Sequence, residues 1–334
     1  MKKAVFFGNP GTTKTVYPDD VMARLNEALD ICDHVIAKNE IDEYRAVLAE
    51  AEYAFSTWGM PAFTREEIRE YLPNLKAVFY GAGSVQGFAR PFLEEGIAVF
   101  SAWAANGVPV AEYTFAQIIL ATKGFFQRLH RQSEGSAWSN KHPGVGFPGN
   151  YEIKVGIIGA GVIGRMVIER LKTLDKTEVL VFDPFLPDEK ALEMGVKKTC
   201  LEEIFAECDV VSNHLANNAQ TVGMLNKPLF DSMKPHAVFI NTGRGAQVVE
   251  NDMIAALNAV PTRAAVLDVT WPEPPNADSP LYTMENVFLT PHIAGSLGHE
   301  VHRMAEYMYE EYCAFDAGKP TRYSVTLKML ETMA

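Results

Sequence analysis

At 334 residues, 48% of them apolar, the chain is long enough for two domains, each with a core of its own, yet no run reaches the roughly 18 apolar residues of a membrane span. The net charge of −12, with no Lys/Arg cluster to offset it, argues against a nucleic-acid partner. Cys32, Cys200, Cys208 and Cys313 lack C-x-x-C spacing and read as buried reduced thiols of a cytoplasmic protein, with no metal site and no disulfide framework.

In chain order, Met1-Lys2-Lys3 is too short a lead for a signal peptide and opens a first strand at 4–7. Further apolar runs follow at 34–37, 53–56, 77–80 and 97–100, separated by helix-like segments such as 21–29 and 65–71. Two of these strands end in suggestive loops: Ser56-Thr57-Trp58-Gly59-Met60-Pro61 and Gly81-Ala82-Gly83-Ser84. Next comes an apolar stretch of helical spacing over 108–129, entered by Asn106-Gly107, which predicts a long helix at a domain junction. A second β/α series runs through 154–158, 178–182, 210–213, 237–241, 264–267 and 287–289. The chain after Ser296 reads as an amphipathic helix to about Gly318, too far from a strand to extend the second sheet, so it is expected to cross back to the first domain.

The fold class expected is α/β, with two doubly wound, mostly parallel sheets. A Rossmann domain at 102–298 is inserted into a discontinuous, flavodoxin-like substrate domain at 1–101 and 299–334. Ligands of such folds bind at strand carboxyl ends, in a cleft flanked by hinges.

The second series opens with Val155-Gly156-Ile157-Ile158-Gly159-Ala160-Gly161-Val162-Ile163-Gly164. Gly159 permits a sharp turn, Gly161 leaves no side chain between backbone and a pyrophosphate, and Gly164 lets the next helix, over 162–174, approach the strand. Phosphates would meet the N–H groups opening that helix, those of Val162 and Ile163 included. Asp183, about twenty residues on, is placed to accept from a ribose diol and would repel a 2′-phosphate. The cofactor expected is therefore NAD rather than NADP.

The strand tips of this series bring out one Arg, one Asp, one Glu and one His. Arg244 lies in Asn241-Thr242-Gly243-Arg244-Gly245, Asp268 and Glu273 in the segment 268–274, and His292 in Thr290-Pro291-His292-Ile293-Ala294-Gly295. Reduction of a 2-oxo acid needs a guanidinium to hold oxygen, an imidazole to give the proton, and a carboxylate to fix the imidazole's tautomer and favour its charged form. Arg244, His292 and Glu273 fit those roles, with Arg244 and His292 touching substrate. Asp268 is left to accept from the nicotinamide carboxamide or a nearby ribose.

Together these motifs resemble the D-isomer-specific 2-hydroxyacid dehydrogenases, over essentially the whole chain. The resemblance implies that the catalytic Arg, Glu and His fall on Arg244, Glu273 and His292. It implies that the N–H groups of Ala82, Gly83 and Ser84 bind the substrate carboxylate as an anion nest. It further implies that Thr242 and Gly243 approach the nicotinamide half of NAD, and that the chain forms a homodimer through its second domain. Gly295, in the segment after His292, is assigned to the cofactor site, and Asn106 with Val110, Ala111 and Glu112 resembles the start of the family's junction helix. His214 is expected beside the adenine ribose and not in catalysis. Departures from the common pattern are Val162 where many relatives are polar or basic, no proline after His214-Leu215, and Lys123 where many have Arg.

Trp58, after a first-domain strand, offers bulk without a guanidinium. This tilts the substrate from 3-phosphoglycerate toward a small unphosphorylated 2-oxo acid such as glyoxylate or hydroxypyruvate. Trp58 serves equally as a packing residue, and Trp271 as a pocket wall or a loop cover. A 3-phosphoglycerate dehydrogenase and an NAD-sensing corepressor of the same architecture stay open as alternatives.

Overall fold

The computed structural model describes residues 1–129 and 146–331. It divides into two compact units, Met1–Gly107 with Ser296–Ala334 and Val108–Gly295. The divisions follow Gly107 and Gly295, where 101 and 298 had been expected. The first lies later because the helix Trp103–Thr122 begins inside the first unit. Asn106 and Gly107 had been read as its entrance; instead they sit in its first turns, and Pro109 lies within it. The helix stops at Lys123-Gly124, where Gly124 adopts a φ of +67°, and a short helix, Phe125–Leu129, follows.

In the first unit, strands β1 (Lys2–Phe7), β2 (Leu29–Ile36), β3 (Tyr53–Ser56), β4 (Ala77–Tyr80) and β5 (Ala98–Ser101) are all parallel, in the order 2-1-3-4-5. β3 and β4 are buried along their whole length, as a parallel sheet covered by helices on both faces requires. Phe6, Phe55, Phe79 and Phe100 stand directly opposite one another on β1, β3, β4 and β5. Their rings stack at 5.4, 5.1 and 5.0 Å between centroids, an aromatic ladder that pins the register of four strands. One residue further on, the register line reads Phe7, Ser56, Tyr80 and Ser101, at the carboxyl edge.

The chain returns to this unit after Ser296, through a 3-10 turn, Gly298–Val301, and the helix His302–Asp316. Beyond it the strand Ser324–Val325 pairs antiparallel with β5, an element too short for periodicity to reveal.

The second unit carries β6 (Lys154–Ile158), β7 (Glu178–Phe182), β8 (Lys197–Lys198), β9 (Val210–Asn213), β10 (Val238–Asn241), β11 (Ala264–Leu267) and β12 (Val287–Leu289), again all parallel. Their order, β12-β11-β10-β9-β6-β7-β8, reverses direction between β6 and β9, the position at which such sheets leave a crevice for a nucleotide. The helix after β6 is Val162–Leu171, one turn shorter than expected. Among the described residues no helix is long and apolar enough to cross a membrane.

The cysteines need correction. Cys208 is buried, and burial pushes its thiol up to about 12, but Cys200 and Cys313 are exposed and Cys32 is half-buried. All four are free thiols.

Candidate active site

The turn after β6 is built around its glycines. A Cβ on Gly164 would lie 2.0 Å from the Gly159 carbonyl oxygen, so only glycine lets the helix come this close to the strand. Gly159 has φ +95°, and a Cβ there would lie 2.9 Å from the His214 carbonyl oxygen. A Cβ on Gly161 would meet nothing within 4 Å, so its backbone is open to an approaching group. Gly161 caps the ten-residue helix Val162–Leu171, and the N–H groups of Val162 and Ile163 open it without a main-chain partner. Open space, unpaired donors and a helix N-terminus suit a pyrophosphate.

Asp183 has more to do than expected. One carboxylate oxygen accepts from Ala160 N and the other from Phe185 N, both at 2.8 Å. Each oxygen keeps a lone pair for a diol, but the side chain also ties the glycine turn to the tip of β7. Arg165, which sequence reasoning passed over, donates from Nε to the Ala160 carbonyl at 2.8 Å and brings a guanidinium to the same turn.

Arg244 follows β10 and is held by a buried amide network. Asn213 Nδ2 donates to Asn241 Oδ1 at 3.0 Å and to Gln247 Oε1 at 2.6 Å, while Gln247 Nε2 donates to the carbonyls of Leu215 and Ala216, both at 2.9 Å. Asn241 Oδ1 also accepts from Gly243 N, and Asn241 Nδ2 donates to the Arg244 carbonyl. The network locks the tips of β9 and β10 together, and two glycines around Arg244 have no room for a side chain. A Cβ on Gly243 would lie 2.9 Å from Asn213 Nδ2, and one on Gly245 would lie 2.0 Å from the Thr270 carbonyl carbon. The Arg244 side chain spends Nη1 on the Gly243 carbonyl at 2.8 Å. Burial pulls its guanidinium below the ordinary range, and the nearby Glu273 carboxylate opposes that shift.

His292 Nδ1 and Glu273 Oε1 lie 2.6 Å apart, both side chains substantially exposed. The carboxylate accepts the Nδ1 proton, which leaves Nε2 as the nitrogen that can exchange a proton with a ligand. His292 adopts φ +54°, a left-handed conformation uncommon outside glycine.

What holds His292 there is Asp268, a role the sequence did not show. His292 N donates to the Asp268 carbonyl at 3.0 Å, Ile293 N to Oδ1 at 2.8 Å and Ala294 N to Oδ2 at 2.9 Å. Thr290 Oγ1 adds a fourth bond, to Oδ1 at 2.7 Å, and itself meets Tyr113 OH at 3.0 Å. Three of the carboxylate's lone-pair positions are thus filled by its own loop. Asp268 thus positions the histidine, and its Oδ2 keeps one lone pair for a further donor. Gly295 makes no side-chain contribution and ends the unit.

His214 packs between Ser212 Oγ at 3.0 Å and Thr242 Oγ1 at 3.4 Å, and Thr242 Oγ1 lies 3.1 Å from Thr114 Oγ1. Burial lowers its pKa to about 4, which keeps the ring neutral near pH 7. Trp271 is 69% exposed.

In the first unit the loop after β4 presents donors. Gly81 N is taken by the Ser56 carbonyl at 2.8 Å, whereas the N–H groups of Ala82, Gly83 and Ser84 donate to no acceptor among the described residues. Asn106, known from sequence only as the start of a helix, accepts from Ser296 N through Oδ1 at 3.0 Å. Its amide is thereby oriented, with Nδ2 3.5 Å from where a Cβ on Gly83 would stand. Trp58, on the turn after β3, is 42% exposed.

A family model described as D-isomer specific 2-hydroxyacid dehydrogenase, NAD binding domain, matches residues 115–294. The chain belongs to this family. The matched part is its NAD-binding domain, NAD is the cofactor, and the glycine turn and Asp183 fit it. Among curated relatives, a D-3-phosphoglycerate dehydrogenase of Archaeoglobus fulgidus is 29% identical over 293 residues, 87% of this chain and 53% of that protein. This chain therefore spans about half the length of that relative. A formate dehydrogenase of Chaetomium thermophilum is 34% identical over 273 residues, 78% of this chain and 72% of that protein. Among solved structures, a phosphoglycerate oxidoreductase from Rhizobium etli shares the fold at a TM-score of 0.80 and 21% identity, covering 97% of this chain and 98% of its own.

Proposed function

We propose that the protein is an NAD-dependent oxidoreductase of small, unphosphorylated 2-oxo and D-2-hydroxy acids. The observation that carries this reading is the 2.6 Å bond between His292 and Glu273. Bound NADH supplies the hydride that reduces the C2 carbonyl. His292 gives the proton that the oxygen acquires in that reduction and takes it back in oxidation, while Glu273 stabilises the imidazolium and keeps Nε2 facing the ligand. Arg244, with Nη1 anchored on Gly243, directs its remaining donors at the substrate's oxygens. The first unit supplies the carboxylate donors Ala82 N, Gly83 N and Ser84 N, with Asn106 Nδ2 beside them. The segments 56–61 and 81–84 contain no Lys or Arg, which favours a substrate without a phosphate.

The acid–base pair also weighs against formate as substrate. Formate becomes carbon dioxide by losing a hydride alone, so no proton passes to or from the protein. A carboxylate-backed imidazole has a task only when an alkoxide forms.

The test is steady-state oxidation of NADH with glyoxylate, hydroxypyruvate, pyruvate and 3-phosphohydroxypyruvate, beside NAD reduction with formate. Highest kcat/KM on one of the first three is expected. Preference for the phosphorylated acid or for formate overturns the substrate assignment, and tight NADH binding without turnover of any acid favours a redox-sensing regulator instead. We further infer a homodimer from the family resemblance and a cytoplasmic location from the four free thiols; sedimentation at the 37.0 kDa mass of one chain would overturn the dimer.

A further inference from the structure

We propose that Thr57 and Ser101 are positioning residues that turn the 81–84 loop into an anion cradle. They do so by fixing three peptide planes, without touching the ligand themselves. The proposal rests on the reading that this loop receives the substrate carboxylate.

In a trans peptide the carbonyl of one residue and the N–H of the next point in opposite directions. Tying down a carbonyl therefore aims the N–H that follows it. Thr57 Oγ1 donates to the Gly81 carbonyl at 2.9 Å, which aims Ala82 N away from the sheet edge. Ser101 Oγ lies 3.0 Å from the Ala82 carbonyl oxygen and 2.6 Å from that of Gly83, sharing its proton between them, which aims Gly83 N and Ser84 N the same way. Thr57 and Ser101 are both fully buried, so water does not compete for their hydroxyls. Within the loop, the three N–H groups aimed by the two hydroxyls find no acceptor among the described residues. A hydrogen bond to a carbonyl also polarises its amide, so each clamp makes the N–H beyond it a stronger donor.

The surrounding residues hold the clamps in place. Ser101 is the last residue of β5 and lies opposite Tyr80, the last of β4, so the aromatic ladder one residue back sets its position. Below the loop, Tyr17 OH donates to the Ser56 carbonyl at 3.2 Å, and a Cβ on Gly81 would come within 2.9 Å of that hydroxyl. The cradle is thus made of neutral main-chain donors over a fixed floor, which suits a single carboxylate.

The experiment compares Ser101→Ala and Thr57→Val with Ser101→Thr and Thr57→Ser. Two readouts are used: steady-state kinetics with glyoxylate and NADH, and calorimetric binding of oxalate to the NADH-loaded protein. Loss of one neutral clamp should raise the glyoxylate KM and the oxalate Kd together, by about tenfold in Ser101→Ala and about fivefold in Thr57→Val. kcat should stay within about threefold, the NADH KM should not move, and the conservative variants should restore binding. Unchanged glyoxylate KM and oxalate Kd in Ser101→Ala and Thr57→Val overturn the proposal. So does a parallel loss of NADH affinity that Ser101→Thr and Thr57→Ser fail to restore. A wild-type protein that binds oxalate but reduces no 2-oxo acid, with binding weakened in Ser101→Ala, supports the cradle while the activity assigned above falls. A wild-type protein that binds no oxalate overturns both.

Discussion

At the carboxyl edge of the first unit's sheet stand Ser56, Thr57, Gly81, Ala82, Gly83, Ser84 and Ser101, a set without one group that titrates near neutral pH. The corresponding edge of the second unit carries Arg244, Asp268, Glu273 and His292. Both edges come from parallel β/α architecture, and both use a strand-to-loop glycine. The difference follows from the tasks proposed for them. A ligand of fixed charge can be held by main-chain dipoles that never change state, whereas moving a proton requires side chains that do. Substitutions in the first unit should therefore be read in KM and those in the second in kcat.

The sharpest break of that contrast is His292→Ala. It should lower kcat about a thousandfold while leaving NADH binding and the KM for the oxo acid close to wild type, by steady-state kinetics and fluorescence titration. Lost NADH affinity with normal turnover of the remaining complex would remove His292 from the chemistry. Asp268→Asn should come next, near a hundredfold in kcat, because the amide keeps one acceptor oxygen for two donors, so either Ile293 N or Ala294 N loses its partner and the left-handed His292 loses part of its support. If NADH affinity falls instead and kcat holds, Asp268 serves the cofactor after all.

On the other edge, Gly81→Ala should raise the oxo-acid KM about tenfold with kcat within a few-fold, since its Cβ pushes on Tyr17 OH under the cradle. A kcat defect of equal size would blur the division between the units. The smallest effect concerns stability. His214 titrates near 4 in the folded protein against 6.5 in its absence of burial, so the unfolded chain binds more protons between those values. Its contribution is complete above pH 6.5 and is lost as pH falls toward 4, by roughly 1 kcal/mol per pH unit. Urea unfolding at pH 7.5 and 5 should show a flatter decline in His214→Asn; an unchanged slope would contradict a buried neutral ring.

The sequence exposed most of the strands because parallel, doubly covered strands are short apolar runs, and it exposed the dinucleotide turn because glycine there answers to close backbone approach. Arg244, Glu273 and His292 were legible as residues past strand tips. Their supports were not. Asn213, Asn241 and Gln247 meet only because β9 and β10 lie side by side, a relation no local spacing encodes. The loop bonds of Asp268 were hidden for a related reason: a carboxylate at a strand tip looks the same in sequence whether it faces a ligand, its own loop or both. Ser101 was invisible because its partners lie on the loop after a neighbouring strand. A breaker also misled, since Asn106-Gly107 was taken to precede a helix that already contains it.

The stacked rings of Phe6, Phe55, Phe79 and Phe100 carry a consequence beyond cohesion. Side chains alternate across a strand, so a slip of one residue in β5 would swing the Ser101 hydroxyl to the opposite side of the sheet. The rings act as a ruler for a contact they never make. A smaller side chain at Phe100, deep in the interior, would then surface first as poorer discrimination among anions, before any loss of folded protein became measurable.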